Sequence, residues 1–403
     1  MAERLTVLVA ARDEAARIGD TVRALRASLP DAVVVVADDG SRDATAACAE
    51  EAGARVVRLP RRGKGQALTL AERALEGGPL LLCDADLSGD LGPLVGAEGD
   101  VVVARFAVRE GGGFGLAKRV ARALIRLRSG FRASEPLSGQ RLLSPRARRI
   151  CFPLAPGFGC ETRMTIDAVR AGLDVREVEL PLRHRATGRD LRGFAHRGRQ
   201  LLDALVAAGP LATNHRGLRL PLVGGAFGLR RDTAIAAVAA VGLADDLWSG
   251  PERGFRQHLS AGRTTGVVKL VAIPTIGLLA TRRVSGALLT GLGANALNQL
   301  DTAPGRALKA YLAAASLVDA PRKLAVLLLP YDLREMAMLG DAGSNALGAL
   351  LALKSLDRFT GRGRTAAIGA LAGLTLLGEV VSLGRVIERA PVLRELDRLG
   401  RQA

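Results

Sequence analysis

At 403 residues the chain has room for two or more domains, each with its own core. Its net charge of +17 comes from 57 basic against 40 acidic residues, and 51 of the basic ones are arginine. That surplus suits phosphate-bearing partners, but aromatic residues make up only 3% of the chain, too few for a base-stacking surface, so nucleic acid is not the expected partner.

Cys48, Cys83, Cys151 and Cys160 show no C-x-x-C spacing and read as reduced packing residues of a cytoplasmic compartment, not as a disulfide frame or zinc site. The first residues carry no apolar signal core, so no secretion signal is expected. Hydrophobic content of 48% and a mean hydropathy of +0.19 are high for a chain so rich in arginine.

In chain order, Leu5 to Ala10 predicts a short buried strand, and an amphipathic helix opens at Ala11-Arg-Asp-Glu14 and runs to about Leu29. Val33 to Val36 predicts a second strand, ending on Asp38, Asp39, Gly40 and Ser41. A helix over about 44–52 follows, with Asp43 as its N-cap at Thr45's turn. Next come a strand over 55–59 and a helix started by Gly63-Lys64-Gly65. Leu80 to Leu82 predicts another strand, stopping on Asp84 and Asp86. Strands alternating with helices imply a parallel, doubly wound sheet whose ligands bind beyond the carboxyl ends of the strands. Arg12, Asp13, Glu14, Asp39, Lys64, Asp84 and Asp86 all fall on that rim. Positions i and i+2 of an extended strand point the same way. Asp84 and Asp86 are therefore expected to project together as oxygen ligands for a hard cation, Mg2+ or Mn2+.

These motifs, Ala10-Ala-Arg-Asp-Glu14, Asp38-Asp-Gly-Ser-x-Asp-x-Thr45, Gly63-Lys-Gly65 and Asp84-Ala-Asp86, resemble the nucleotide-sugar-binding half of the inverting family-2 glycosyltransferases. The local likeness is to polyprenyl-phosphate hexosyltransferases and glucosyl-3-phosphoglycerate synthases, over about residues 4–205. The resemblance implies a Rossmann-like α/β domain of the glycosyltransferase A type over 1–208, moving a hexose from a nucleotide-diphosphate sugar to an envelope acceptor. It makes Asp86 the direct metal ligand, sets Asp84 on the ribose or metal and Asp39 on the uracil or ribose, flanks the nucleoside with Asp13 and Glu14, and brings Lys64 to the phosphates. Ser138-Gly-Gln-Arg141 resembles the acceptor-side segment and implies diphosphate binding by Arg141. Gly157-Phe-Gly-Cys-Glu161-Thr resembles the helix start that carries the general base, Glu161. From sequence alone Glu161 reads equally as a first-turn acid facing the helix dipole. Within the Arg-rich stretch 183–199, Arg185 is expected on the substrate, and the resemblance makes His184 a third metal ligand.

From Lys118 to Arg149 there are ten basic residues against one acid, Glu135. Leu116, Val120, Leu124 and Leu127 share a helical face there, which reads either as a helix lying on an anionic membrane or as a solvated face over a core stripe.

After about Ala208 the composition shifts to Gly, Ala, Leu and Val, with uncharged runs at 233–244, 270–281, 284–300, 342–353 and 365–378. Each is short for a membrane span, and a soluble helical domain reads the same on hydropathy. The acids within these runs favour a membrane domain with a site of its own. Asp245 and Asp246, then Asn295, Asn298 and Asp301, then Asp341 and Ser344 resemble the polyprenyl-phosphate N-acetylhexosamine-1-phosphate transferases over about residues 220–390. The likeness implies an all-α membrane domain over 209–403 that uses Mg2+. It makes Asp245, Asp246 and Asp301 catalytic, Asn298 nucleotide-binding, Lys269 phosphate-binding and Asp341 a metal ligand. The segment lacks several of that family's spans and its His-rich loop, which leaves a reduced or silent membrane anchor as the alternative, with a small phosphorylated acceptor for the first domain. The expected location is the inner (cytoplasmic) membrane, with the first domain in the cytoplasm, and the expected partners are a nucleotide sugar and polyprenyl phosphate or a lipid-linked acceptor.

Overall fold

The computed structural model describes residues 4–86, 89–106, 115–180, 191–229, 232–248 and 265–401. The chain divides into two compact units, Met1–Thr213 with Gly217–Arg219 and Asn214–Arg216 with Leu220–Ala403.

The first unit is a sheet covered by helices. Its strands are β1 (Thr6–Ala11), β2 (Val33–Asp39), β3 (Arg55–Leu59), β4 (Leu80–Asp84), β5 (Val101–Phe106), β6 (Arg141–Leu143) and β7 (Val175–Leu180). They lie in the order β3-β2-β1-β4-β6-β5-β7. Leu8, Leu81 and Leu82 are almost wholly buried, as expected of strands covered on both faces, whose sequences are continuous apolar runs and not alternating ones. The helices α1 (Ile18–Ser28), α2 (Thr45–Glu51) and α3 (Lys64–Glu72) link the first four strands. α1 buries Ile18, Val22 and Leu25, one stripe at helical spacing. Register aligns Ala11 with Asp38 and Ala10 with Asp84, so the ends of β1, β2 and β4 form one rim.

The sheet is mixed, not wholly parallel: β6 runs antiparallel to both β4 and β5. At three residues it is too short for periodicity to mark it. The helix α5 (Leu116–Ser129), which follows α4 (Gly92–Val95), does not seat the whole predicted stripe in the core, as the second of its two readings required. It buries Ala121 and Ile125, while Leu116 and Leu127 at the ends of the predicted stripe are exposed. Lys118 and Arg122, on the buried side, reach Glu135 and the Ser134 carbonyl, and these polar anchors turn the helix away from its most apolar face. Beyond β6 come α6 (Pro145–Cys151), α7 (Cys160–Arg170) and α8 (Leu191–Ala208).

The described part of the second unit is helical. Its main elements are α9 (Thr233–Trp248), α10 (Thr265–Thr281), α11 (Val284–Leu300), α12 (Arg306–Leu317), α13 (Lys323–Leu333), α14 (Gly340–Arg358), α15 (Gly361–Val380), α16 (Leu383–Arg389) and α17 (Pro391–Arg398). Ile235, Val238, Leu297, Leu308, Tyr311, Leu347 and Leu350 share its core. Among the described residues no single helix is long and apolar enough to cross a membrane. The pair Gly361–Val380 and Leu383–Arg389, bent by 92°, meets the length and composition test only when taken together.

Candidate active site

The polar residues of the β1 and β2 rim are tied to each other. Asp13, at φ 53, donates its backbone N–H to Ser41 Oγ at 3.0 Å and accepts from the Arg42 amide at 2.8 Å. The Glu14 amide donates to Thr45 Oγ1 at 2.8 Å, and the Ala15 amide to Asp43 Oδ2 at 3.1 Å. Asp43 also accepts from the Thr45 amide at 3.0 Å. Asp39 is buried, and its carboxylate accepts from the backbone of Arg62 at 2.6 Å and of Gly63 at 2.9 Å. Burial raises its pKa above the ordinary aspartate value, against the lowering effect of those amides and of Arg12 and Arg61. Asp39, expected on the nucleoside, thus also fixes the turn that presents Lys64.

Lys64 is the centre of the site. It opens α3, and its Nζ lies 2.6 Å from Asp84 Oδ1 and 2.6 Å from Glu161 Oε1. Its contact with the phosphates was an expectation; here the ammonium joins the end of β4 to the start of α7. Burial disfavours its charge, but Asp84 and Glu161 outweigh burial and hold its pKa well above the ordinary value. Glu161 is 4% exposed, and its second oxygen lies 3.1 Å from Cys160 Sγ. Asp84 Oδ2 takes Gln140 Nε2 at 3.3 Å. Cys160, Gln140 and Asp203 escaped the sequence reading. Asp203 accepts from the Phe158 amide at 2.9 Å, ahead of the Glu161 helix. Its one visible signal was a lone acid in the apolar run 201–206.

Two expectations change. Arg141 was expected to bind diphosphate, but it is fully buried and its donors are used internally, on the Ser138 carbonyl at 2.8 Å, Thr165 Oγ1 at 2.8 Å and the Pro136 carbonyl at 3.2 Å. It is a structural brace between β6 and α7. β4 ends at Asp84 and Asp86 lies in the following turn, exposed, so strand alternation does not govern its direction. His184 and Arg185 lie outside the described residues.

Among the described residues no group of three or more His, Cys, Asp or Glu side chains is arranged to hold a metal. Asp84 and the exposed Asp86 nonetheless suit Mg2+ or Mn2+ by donor chemistry. Both supply hard carboxylate oxygens, and Mg2+ commonly takes one or two carboxylates while water and substrate phosphates complete its shell.

The second unit assembles a further polar group from separate helices. Lys269 on α10 reaches Asp245 Oδ2 of α9 at 2.5 Å and also pairs with the Asp341 carboxylate of α14. Asp246 accepts from the Asp341 and Ala342 amides at 2.8 and 2.9 Å, which caps the first turn of α14. Ser344 Oγ donates to Asn298 Oδ1 at 3.2 Å, and Asp301, at the end of α11, accepts from the Gly340 backbone. The approach depends on Gly242, since a Cβ there would lie 2.4 Å from the Asp341 carbonyl oxygen. Asp245, Asp246, Lys269 and Asp341 therefore meet at one place, and Asn298 and Asp301 reach the same α14 start from α11.

The model of the family "Glycosyl transferase family 2" matches residues 6–92. A glucosyl-3-phosphoglycerate synthase of Mycolicibacterium smegmatis is 30% identical over 274 residues, covering 60% of this chain and 87% of that protein. The synthase of Mycolicibacterium paratuberculosis is 33% identical over 239 residues, covering 50% and 71%. The crystal structure of the Mycobacterium tuberculosis synthase in complex with Mn2+, uridine diphosphate and phosphoglyceric acid is 31% identical, covering 51% of this chain and 78% of that one, with a TM-score of 0.42. With a curated relative at this identity matched over most of its own length, and with the rim motifs in order along β1, β2, α3 and β4, the chain belongs to glycosyltransferase family 2 and is a glycosyltransferase.

Proposed function

We propose that the sheet-bearing unit transfers a hexose, with inversion, from a uridine-diphosphate sugar to a hydroxyl of a small phosphorylated acid. The observation that carries this reading is the Lys64 ammonium shared between Asp84 and Glu161, which joins a donor-side carboxylate to an acceptor-side one. The names of two of the relatives, both glucosyl-3-phosphoglycerate synthases, support glucose and a phosphoglycerate as the pair to test first. Asp84 and Asp86 would hold Mg2+ or Mn2+, which when bound neutralises charge on the departing diphosphate. Glu161 takes the proton of the acceptor hydroxyl, the new bond forms to the anomeric carbon, and the nucleoside diphosphate leaves with the electrons of the broken bond. Asp13, Glu14 and Asp39 border the nucleoside. The test is uridine diphosphate release from UDP-glucose by the purified full chain, with 3-phosphoglycerate or short-chain polyprenyl phosphate as acceptor. Release stimulated by phosphoglycerate supports the reading. Stimulation by polyprenyl phosphate alone transfers it to a lipid acceptor.

A second reading concerns residues 209–403 as a domain that binds polyprenyl phosphate at the cytoplasmic membrane and keeps the glycosyltransferase domain on the cytoplasmic side. The meeting of Lys269 with Asp245 and Asp341 favours it, because these are residues to which the resemblance gives phosphate binding, catalysis and metal binding, and they come together from three separate helices. Uridine monophosphate release from a UDP-N-acetylhexosamine in the presence of polyprenyl phosphate tests it. A protein that gives none and stays in solution with anionic vesicles present has neither property.

A further inference from the structure

The Ser138-Gly-Gln-Arg141 segment, which the resemblance set on the acceptor side, also touches the donor-side carboxylate. Gln140 is 2% exposed, and its backbone carbonyl accepts from the Ala104 amide of β5 at 3.0 Å. Its side chain lies between two groups of opposite demand: Nε2 donates to Asp84 Oδ2 at 3.3 Å, and Oε1 accepts from Ser138 Oγ at 3.3 Å. Turned round, the amide would put its oxygen against a carboxylate, so these neighbours fix its direction. The backbone approaches just as closely. A Cβ on Gly139 would sit 2.3 Å from Asp84 Oδ2, which puts the main chain itself against that oxygen. Arg141 braces the segment from behind: its Nε donates to the Ser138 carbonyl at 2.8 Å and its Nη1 to Thr165 Oγ1, on the helix of Glu161, at 2.8 Å.

We propose that Gln140 is a positioning residue for the metal site: it holds the plane of the Asp84 carboxylate in the orientation that meets a divalent cation. This rests on the reading above in which Asp84 and Asp86 hold Mg2+ or Mn2+. The terminal torsion of an aspartate is broad, so a carboxylate gripped at one oxygen turns easily. Lys64 grips Oδ1 at 2.6 Å and Gln140 grips Oδ2, and two grips on opposite oxygens set the plane. An ionised carboxylate has about four acceptor sites on its two oxygens, so these bonds orient it without displacing a cation. The neutral amide does what a second cation could not. It orients Asp84 and leaves the charge for the metal.

In titrations of Mn2+ into the full chain with uridine diphosphate present, Gln140→Met is expected to bind Mn2+ about 10- to 100-fold more weakly than wild type, the range for partners that orient a ligating carboxylate. The Mn2+ needed for half-maximal release of uridine diphosphate from UDP-glucose rises with it, and added Mn2+ recovers most of the lost rate. A purely structural glutamine predicts the opposite split, a lower rate at saturating Mn2+ with the half-maximal concentration unchanged. That split, or an unchanged Mn2+ affinity, overturns the proposal. Where Gln140→Met fails to fold, Ser138→Ala frees the amide to turn and is expected to weaken Mn2+ binding by a smaller factor; an unchanged affinity there overturns it equally. A wild-type protein whose nucleotide binding ignores Mn2+ is a different result: it removes the metal reading itself, and the positioning role with it.

Discussion

Gly65 lies against the carbonyl of Ala155 so closely that a Cβ built on it would sit 1.9 Å from the oxygen. This contact sets the first turn of α3 beside the segment that leads into α7, and so puts Lys64 within reach of Glu161 as well as Asp84. The obstacle is backbone, which has nowhere to swing. Gly65→Ala is expected to force the two segments apart, at a cost of about 1–3 kcal/mol, typical of overpacking. Sugar transfer is expected to fall by at least about tenfold, since misplacement of reacting groups by an ångström is costly. Denaturant unfolding and kcat read the two effects, and a variant with wild-type kcat would separate the glycine contact from the site.

Asp86 is exposed in the turn that follows β4. Asp86→Ala is therefore expected to leave stability within about 0.5 kcal/mol of wild type, the usual range for surface positions. Donor turnover is expected to disappear, and with it the dependence of uridine diphosphate binding on Mg2+ or Mn2+. Retained turnover removes Asp86 from the metal site.

Arg141 separates a structural from a substrate-binding arginine. Arg141→Met strands the Ser138 and Pro136 carbonyls in a buried setting, at about 1–3 kcal/mol for each acceptor left without a partner. Chemical denaturation is expected to show this loss, while the folded protein binds uridine diphosphate as wild type does. Lost nucleotide binding at unchanged stability would return Arg141 to the diphosphate.

Asp39 gives a pH dependence of definite sign. Burial raises its folded-state value above 3.8, so the native protein holds this proton more tightly than the unfolded chain. A raised value means that the contribution to stability is fully present below the unfolded value and is lost as pH rises through the folded one. Wild type is therefore expected to gain stability relative to Asp39→Asn as pH falls from 7 toward 4. A difference that stays constant across that range, measured by urea unfolding, contradicts the buried carboxylate.

In the helical unit, Lys269→Met leaves Asp245 and Asp341 facing each other without their cation. Breaking a buried pair from one side costs about 3–5 kcal/mol, and Lys269→Arg should recover part of it. The unfolding midpoint of the full chain reports both, and a neutral Lys269→Met would mean that the three side chains are not coupled.

The strand–helix alternation and the rim of Asp13, Asp39, Lys64 and Asp84 were legible because local pattern decides them, and the helix start at Glu161 was legible through the family resemblance. Buried parallel strands are apolar runs, and the residues that end them face the ligand side by topology. Asp245, Asp341 and Lys269 were legible as separate polar residues in apolar helices, but their meeting was not, because it depends on helix approaches set by Gly242 and its neighbours. The antiparallel β6 and the exposed ends of α5 were hidden for a related reason: a three-residue strand has no period, and an amphipathic stripe does not say which polar anchors will turn it.

The sequence by itself determined the first four sheet-forming segments and the carboxylates at their ends, since these follow from spacing and side-chain type, and its motifs carried the resemblance that implied the enzyme class. Only the tertiary structure decided which charges neutralise which. Lys64 was read as a phosphate contact and Arg141 as another, yet one bridges Asp84 and Glu161, two carboxylates far apart in sequence, and the other is enclosed among carbonyls. Partner choice for a charged group is a matter of burial and distance across the fold, and no local pattern of residues encodes it.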